Sequence, residues 1–281
     1  MKLPPFESDY EDSVLPTFAG APATHTAVRI SADAETPWTQ MSALLGTTVI
    51  QAVQSFYLAK RSIQYFSDLP EDDDRVGQAI EQINNRLMRM AVLDVAALND
   101  GGLAGNDPEN TRTASLPTAH RRMKRHLTDA NASAAELDQL GKLQTDINCD
   151  HYMPLKYVRH VRNKWAGHPS LDRRFDAWAD ADKTLSIAAV EAALTRLVNN
   201  THNTARFVSS APALQDFRQP PEVANPDGSW PMGVNMSNVT VWAELMRESA
   251  GKEVRALRAQ ITGETMLERS AHTEAYRGKQ Y

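Results

Sequence analysis

The sequence predicts an all-α protein, a helical bundle with an irregular N-terminal arm and a C-terminal extension helix. Three observations carry this expectation. Apolar residues recur at spacings of three and four through most of the segment from Thr39 to Val208. The breaks between those runs hold Gly, Pro, Asn and Asp. No alternating apolar and polar stretch rivals the helical pattern, and no internal repeat is visible.

Residues 1–36 are rich in Pro, Ala, Ser and acids without a usable period, which predicts an irregular or disordered arm. From Thr39, Leu45, Val49, Ala52, Phe56, Ala59, Ile63 and Phe66 trace one face of a long helix. Leu69-Pro70 ends it, and the acids Glu71 to Asp74 suit the N-terminus of the next. That second helix, from about Asp73 to Asn99, carries a stripe of Val76, Ile80, Ile83, Leu87 and Met90. The stripe continues into Asp94, a carboxylate where an apolar residue is expected.

Gly101-Gly102 closes the helix, and a Gly/Asn/Asp/Pro loop leads to Ser115. Ser115 reads as an N-cap, with Pro117 in the first turn of a basic helix from Leu116 to Leu127. Ser133 opens another helix, with Leu137, Leu140 and Leu143. The chain breaks before Pro154, and the next helix ends at Gly167, where Pro169 prevents continuation. After a loop, Leu185, Ala188, Ala189, Ala192, Leu197 and Val198 line a helix toward Val208.

Pro212, Pro220, Pro221, Pro226 and Pro231 mark a long irregular excursion before the last helix, Val239 to about Ile261. The organisation expected is an arm (1–36), a bundle (37–210), and an excursion with a final helix and polar tail (211–281). The last helix is a candidate cap for the core, a dimer contact or an inhibitor's docking site.

The chain has 281 residues, 42% hydrophobic and 23% charged, a balance that suits a soluble globular protein. Cys149 is the single cysteine, which excludes an intrachain disulfide and fits a reducing compartment. Residues Met1 to Tyr10 include Pro4, Pro5, Glu7 and Asp9 and lack an apolar core, so a secretory signal is not expected. The run Met90–Leu98 is short and interrupted by Asp94, so a membrane span is not expected. A cytoplasmic location follows as the expectation.

The net charge of −5 argues against a protein that coats nucleic acid by bulk charge. The charge is unevenly spread. Lys156, Arg159, Arg162, Lys164, Arg173 and Arg174 face only Asp172 in their segment, and His120–His126 reads HRRMKRH without an acid. A local basic site on an acidic chain suits contact with one phosphate more than tracking along a duplex.

The stretch Val161-Arg162-Asn163-Lys164-Trp165-Ala166-Gly167-His168-Pro169 is the most informative. Arg162 and His168 have five residues between them, and Asn163 supplies a polar neighbour to the arginine. An Arg and a His so spaced at the end of a bundle helix resemble the motif of the HEPN superfamily. The resemblance is strongest to its abortive-infection branch, in which a helix ending in aspartate precedes a loop and a Ser-Leu helix start. Here those features are Ala96-Ala97-Leu98-Asn99-Asp100 and Ala114-Ser115-Leu116. The similarity covers about Trp38 to Ser209.

The resemblance implies a HEPN-like bundle and a metal-independent endoribonuclease with no cofactor. It also implies a 2′,3′-cyclic phosphate product and a site assembled from two protomers, in a toxin or an antiviral defence effector. The chemistry suits the residues. An imidazole near its free pKa can take the 2′-OH proton or return one to the 5′-oxygen. A guanidinium can hold the charge that gathers on the phosphorane's non-bridging oxygens. Catalytic roles fall to Arg162, His168 and Asn163. Lys164, Arg159, Arg121, Arg122 and Arg125 are candidate RNA contacts, with Asp94 a candidate carboxylate behind Arg162 or His168.

Positions six apart on a straight helix differ by about 240°, so Arg162 and His168 share a site only if the helix ends at Gly167. Each residue also has a plainer reading. Arg162 suits a surface ion pair, His168 a helix-terminal cation, Asp94 a partly solvated position, and the basic helix a solvated face. Cys149-Asp150-His151 lacks the further ligands of a zinc site. Gly101-Gly102-Leu103-Ala104-Gly105 lacks the lysine of a phosphate loop, and no nucleophile elbow occurs. Some HEPN toxins carry a modifiable tyrosine two residues beyond the histidine, where this chain has Ser170. The rival reading is a catalytically silent module that binds RNA, nucleotide or a protein partner such as an antitoxin. A basic patch serving DNA or an acidic protein is a third.

Overall fold

A computed structural model describes residues 38–67, 74–101, 114–167, 174–175, 184–217 and 234–263. Among these residues seven α-helices follow in order: α1 (Trp38–Phe66), α2 (Asp74–Leu98), α3 (Leu116–Asp129), α4 (Ala134–Asp146), α5 (Met153–Val161), α6 (Ile187–Ser210) and α7 (Val239–Thr262). A π turn, Arg162–Ala166, extends α5, and a 3₁₀ segment, Pro212–Phe217, follows α6. Among the described residues no strand forms, and no helix is long and apolar enough to cross a membrane. The class is all-α. The expected arm (1–36), most of the Gly-rich loop and the tail beyond Gly263 lie outside the described residues.

The helix starts follow local chemistry. The Ser115 hydroxyl accepts from the Thr118 amide at 3.3 Å, with Pro117 in the first turn of α3. Ser133 and Glu136 form a reciprocal capping box at α4. Ser186 caps α6 through the Ala189 amide.

On α1 the expected stripe is buried at Leu45, Val49, Ala52, Phe56, Ala59 and Phe66, whereas Ile63, expected on the same stripe, is exposed. On α2 the core-facing stripe is a different one. Met88, Ala91, Val92, Val95 and Leu98 are buried, whereas Ile83 is 56% and Met90 52% exposed. This helix carries two apolar stripes, and the one denser in Val and Ala at its C-terminal half faces inward.

The final helix belongs to the bundle. Val239, Ala250, Val254 and Ala259 of α7 are buried, and α7 packs along α1. The Met236 amide donates to Ser42 Oγ at 3.3 Å near one end. At the other, Arg258 donates to the Tyr65 carbonyl and Arg255 to the Tyr65 hydroxyl. The two helices therefore run parallel. Where they begin to meet, a Cβ on Gly46 would stand 2.7 Å from the Asn235 carbonyl carbon, so only glycine fits.

The inner face of α6 is partly polar. His120 of α3 lies fully buried with Nε2 2.9 Å from Thr204 Oγ1. Asn200 donates to the Leu143 carbonyl at 2.9 Å and to Asp146 at 3.2 Å. Asp146 in turn pairs with Arg196, whose guanidinium lies over the Tyr152 ring at 4.1 Å. These contacts fix α3 and α4 against α6 and leave α2 and α5 to frame the site.

Candidate functional site

A cavity of about 240 Å³ opens between the C-terminal half of α2, the α4–α5 connection and the end of α5. Its apolar wall is Val95, Ala96, Leu155 and Val158, and its polar rim is Asn99, Asp100, Arg159, Arg162 and Asn163, with Gly101 and Cys149 completing it. The motif arginine, its polar neighbour and the aspartate that ends the second helix therefore border one cavity.

Several contacts build this rim. Ser115, the cap of α3, donates its hydroxyl to the Asp100 carbonyl at 2.6 Å. Arg121 donates to the Gly101 carbonyl at 2.6 Å and to Thr118 Oγ1 at 3.0 Å. The end of α2 is thus tied to the start of α3, and its last carbonyls are satisfied by side chains. From the opposite side, Asn99 Nδ2 reaches the Cys149 sulfur at 3.1 Å. Burial pushes the Cys149 thiol pKa up, against the pull of nearby Arg159. A neutral, packed thiol is the result.

Past Val161 the backbone widens from α to π. The Gly167 amide donates to the Arg162 carbonyl at 2.7 Å. Such single π turns occur often at functional sites. Arg162 is exposed, and its Nη1 donates to Asn163 Oδ1 at 2.8 Å, so the asparagine orients the guanidinium. Arg89 of α2 donates its Nε to the Ala166 carbonyl at 2.6 Å and anchors the far end of the turn. The π turn ends at Ala166, and Gly167 keeps right-handed helical backbone angles as the last described residue of this segment.

His168 itself, with Pro169 and Ser170, lies outside the described residues. The chain reappears at Arg174 and Phe175. The Phe175 ring packs 5.8 Å from Tyr157 and 4.9 Å from His160, both on α5. The Tyr157 hydroxyl accepts from the Ser186 amide at 2.9 Å, which sets the start of α6.

The other candidates are dispersed. Arg159 borders the cavity and stands 3.9 Å from Asp150, an exposed pair of little energetic weight. Lys164 is half-buried on the π turn and away from the cavity wall. Arg121 reaches only the rim, through Gly101. Arg122 points toward α1, where its Nη1 lies 3.8 Å from Met41 Sδ, and burial pulls its pKa down. Arg125 is exposed and off the cavity wall.

Asp94 is half-buried, and burial raises its pKa to about 6. Among the described residues it makes no hydrogen bond or ion pair, and Arg162 is held by Asn163 instead. Among the described residues no group of three or more His, Cys, Asp or Glu side chains gathers as a metal cluster would.

Three site features carry no clear sequence signal. Arg89 is one of many exposed helix arginines until its contact with Ala166 is seen. Asn99 and Cys149 meet across fifty positions of sequence. The π turn leaves no mark beyond the glycine that ends it. Comparison with family models, with curated proteins and with solved structures finds no match for this chain.

Proposed function

We propose that the chain is a metal-independent endoribonuclease of the HEPN type. In this reading it acts on RNA in the cytoplasm as a toxin or antiviral effector, works as a homodimer, and is restrained by an antitoxin or other regulatory protein. The observation that supports the reading best is Arg162. Its guanidinium is oriented by Asn163 on the rim of a cavity, at the start of a π turn that leads directly into Gly167 and His168.

The reaction is a transesterification. The ribose 2′-oxygen forms a bond to phosphorus as the bond from phosphorus to the 5′-oxygen breaks. One proton leaves the 2′-hydroxyl and one arrives on the leaving oxygen, giving a 2′,3′-cyclic phosphate and a 5′-hydroxyl. The imidazole of His168 serves one of these transfers. Arg162 neutralises the charge that builds on the non-bridging oxygens, an interaction stronger in the transition state than in the substrate. Arg159, on the same rim, attracts the adjoining phosphate.

The test is cleavage of single-stranded RNA in EDTA by wild type, Arg162→Ala and His168→Ala. Each alanine is expected to lower the rate by about 100-fold or more while RNA binding survives. Binding without cleavage by the wild type would assign the chain to the silent-module class instead.

A further inference from the structure

We propose that the cavity between α2 and α5 is a base pocket, in which a guanosine of single-stranded RNA seats its base and brings its 3′-phosphate to Arg162. The catalytic consequence rests on the proposed function, whereas recognition of the base stands apart from it.

Size and floor suit one base. The cavity, about 240 Å³, falls below the roughly 300 Å³ at which pockets for drug-sized ligands begin, and one heterocyclic base is an occupant of that scale. Its floor is apolar, since Val95, Leu155 and Val158 are all buried side chains. A base laid on these aliphatic groups keeps its hydrogen-bonding edge for the rim. Single-stranded RNA offers unstacked bases for such a seat, and their edges are then read directly.

The rim is electrically divided. Arg159 and Arg162 stand on its α5 side, Asn99 and Asp100 at the end of α2. The α2 side is held in place, because Ser115 donates to the Asp100 carbonyl and Arg121 to the Gly101 carbonyl. Those backbone oxygens are thereby engaged, and recognition falls to side chains. Asn99 turns Nδ2 to the Cys149 sulfur, so its Oδ1 is an acceptor that no described residue engages. Beside it, the exposed Asp100 adds a carboxylate, which only accepts.

Guanine is the base that answers such a rim. Its N1–H and its N2 amino group are adjacent donors, which a carboxylate and an amide oxygen accept together. Adenine and cytosine set an acceptor nitrogen beside their amino group, and uracil flanks its N3–H with two carbonyls. Each of these presses a lone pair against the acceptors of Asn99 and Asp100.

The cationic side then takes the phosphate. On the proposed function, the nucleotide that supplies the 2′-hydroxyl also carries the reacting phosphate on its 3′-oxygen. Holding its base fixes ribose and phosphorus together, so the seated guanosine lies on the 5′ side of the broken bond. The 2′-oxygen bonds to phosphorus as the 5′-oxygen of the next nucleotide leaves with a proton. The upstream product therefore ends in guanosine 2′,3′-cyclic phosphate.

Binding and cleavage by the full chain test the pocket separately, both in EDTA. Calorimetry reads the affinity for the four ribonucleoside 3′-monophosphates, and DNA strands with one ribonucleotide report where cleavage falls. Guanosine 3′-monophosphate is expected to bind about 10-fold or more tightly than the other three, and cleavage to follow a lone guanosine. Asp100→Asn, at an exposed position, replaces one acceptor oxygen by a donor and is expected to lower the guanosine-to-adenosine affinity ratio about 10-fold. Ala96→Leu, on the half-buried wall, fills the cavity and is expected to abolish guanosine 3′-monophosphate binding.

Equal affinity for the four nucleotides, or a guanosine preference that Asp100→Asn leaves unchanged, overturns the proposal. Tighter binding of guanosine 5′-triphosphate than of the guanosine-containing strand also overturns it, by assigning the pocket to a free nucleotide. Guanosine-selective binding without cleavage keeps the pocket and removes the nuclease reading. Cleavage indifferent to the base keeps that reading and removes the pocket.

Discussion

The Gly167 amide donates to the Arg162 carbonyl at 2.7 Å, and a Cβ placed on Gly167 would stand 2.9 Å from that same oxygen. The backbone of Gly167 is in the right-handed helical region, so the requirement for glycine is steric. The closure of the π turn and the absence of a side chain are therefore one fact. Gly167→Ala is expected to force the turn open, at a cost of about 1–3 kcal/mol. Urea denaturation checks the stability. On the proposed function, cleavage should fall further than the stability loss explains, because Arg162 opens the same turn.

Arg89 donates Nε to the Ala166 carbonyl at 2.6 Å and is the described side chain from α2 that reaches the π turn's backbone by a hydrogen bond. Replacing it with methionine keeps much of its length and removes the donor. Arg89→Met is expected to cost about 1–2 kcal/mol, as for a hydrogen bond with a charged partner that is partly solvated. If the arginine positions the motif, kcat should fall while KM for RNA changes little, and Arg89→Lys should recover part of the loss. A drop in thermal stability with unchanged kcat would limit Arg89 to a structural role.

His120 supplies a pH dependence. Burial lowers its pKa from 6.5 to about 4, and the nearby Asp146 carboxylate offsets only part of that. Between those values the unfolded chain holds a proton that the folded core refuses. Stability contributed by the neutral ring is therefore complete above pH 6.5 and declines as pH falls toward 4. The decline approaches about 1.4 kcal/mol per pH unit for this one group. His120→Gln keeps a polar group near Thr204 Oγ1 and removes the titration. Denaturation midpoints measured from pH 7 to pH 4 should show a flatter profile for the variant than for wild type. Parallel profiles would remove His120 as the source of acid sensitivity.

Local chemistry made much of this fold readable. The caps at Ser115 and Ser133 follow from their own few residues, and the α1 stripe from Leu45 to Phe66 is a single unbroken period. The facing of α2 was not readable, because Ile83 and Met90 form a second stripe nearly as regular as the buried one, and packing against α1 chose between them. Gly-His-Pro makes a helix end near Gly167 readable as an expectation, but the π geometry before it has no compositional signature. At the site, Arg162 and Asn163 are marked by their spacing to His168. Asn99 and Arg89 act through contacts with distant segments, which no local pattern encodes.

The central claim is that Arg162 and His168 act on one phosphodiester through its neighbouring 2′-hydroxyl. The most direct measurement is mass spectrometry of the products from one RNA strand in EDTA, with the 2′-O-methylated strand in parallel. The account predicts 2′,3′-cyclic phosphate ends from the first, no cleavage of the second, and loss of the product with His168→Ala. Cleavage of the methylated strand, or an undiminished yield from the alanine variant, would contradict it.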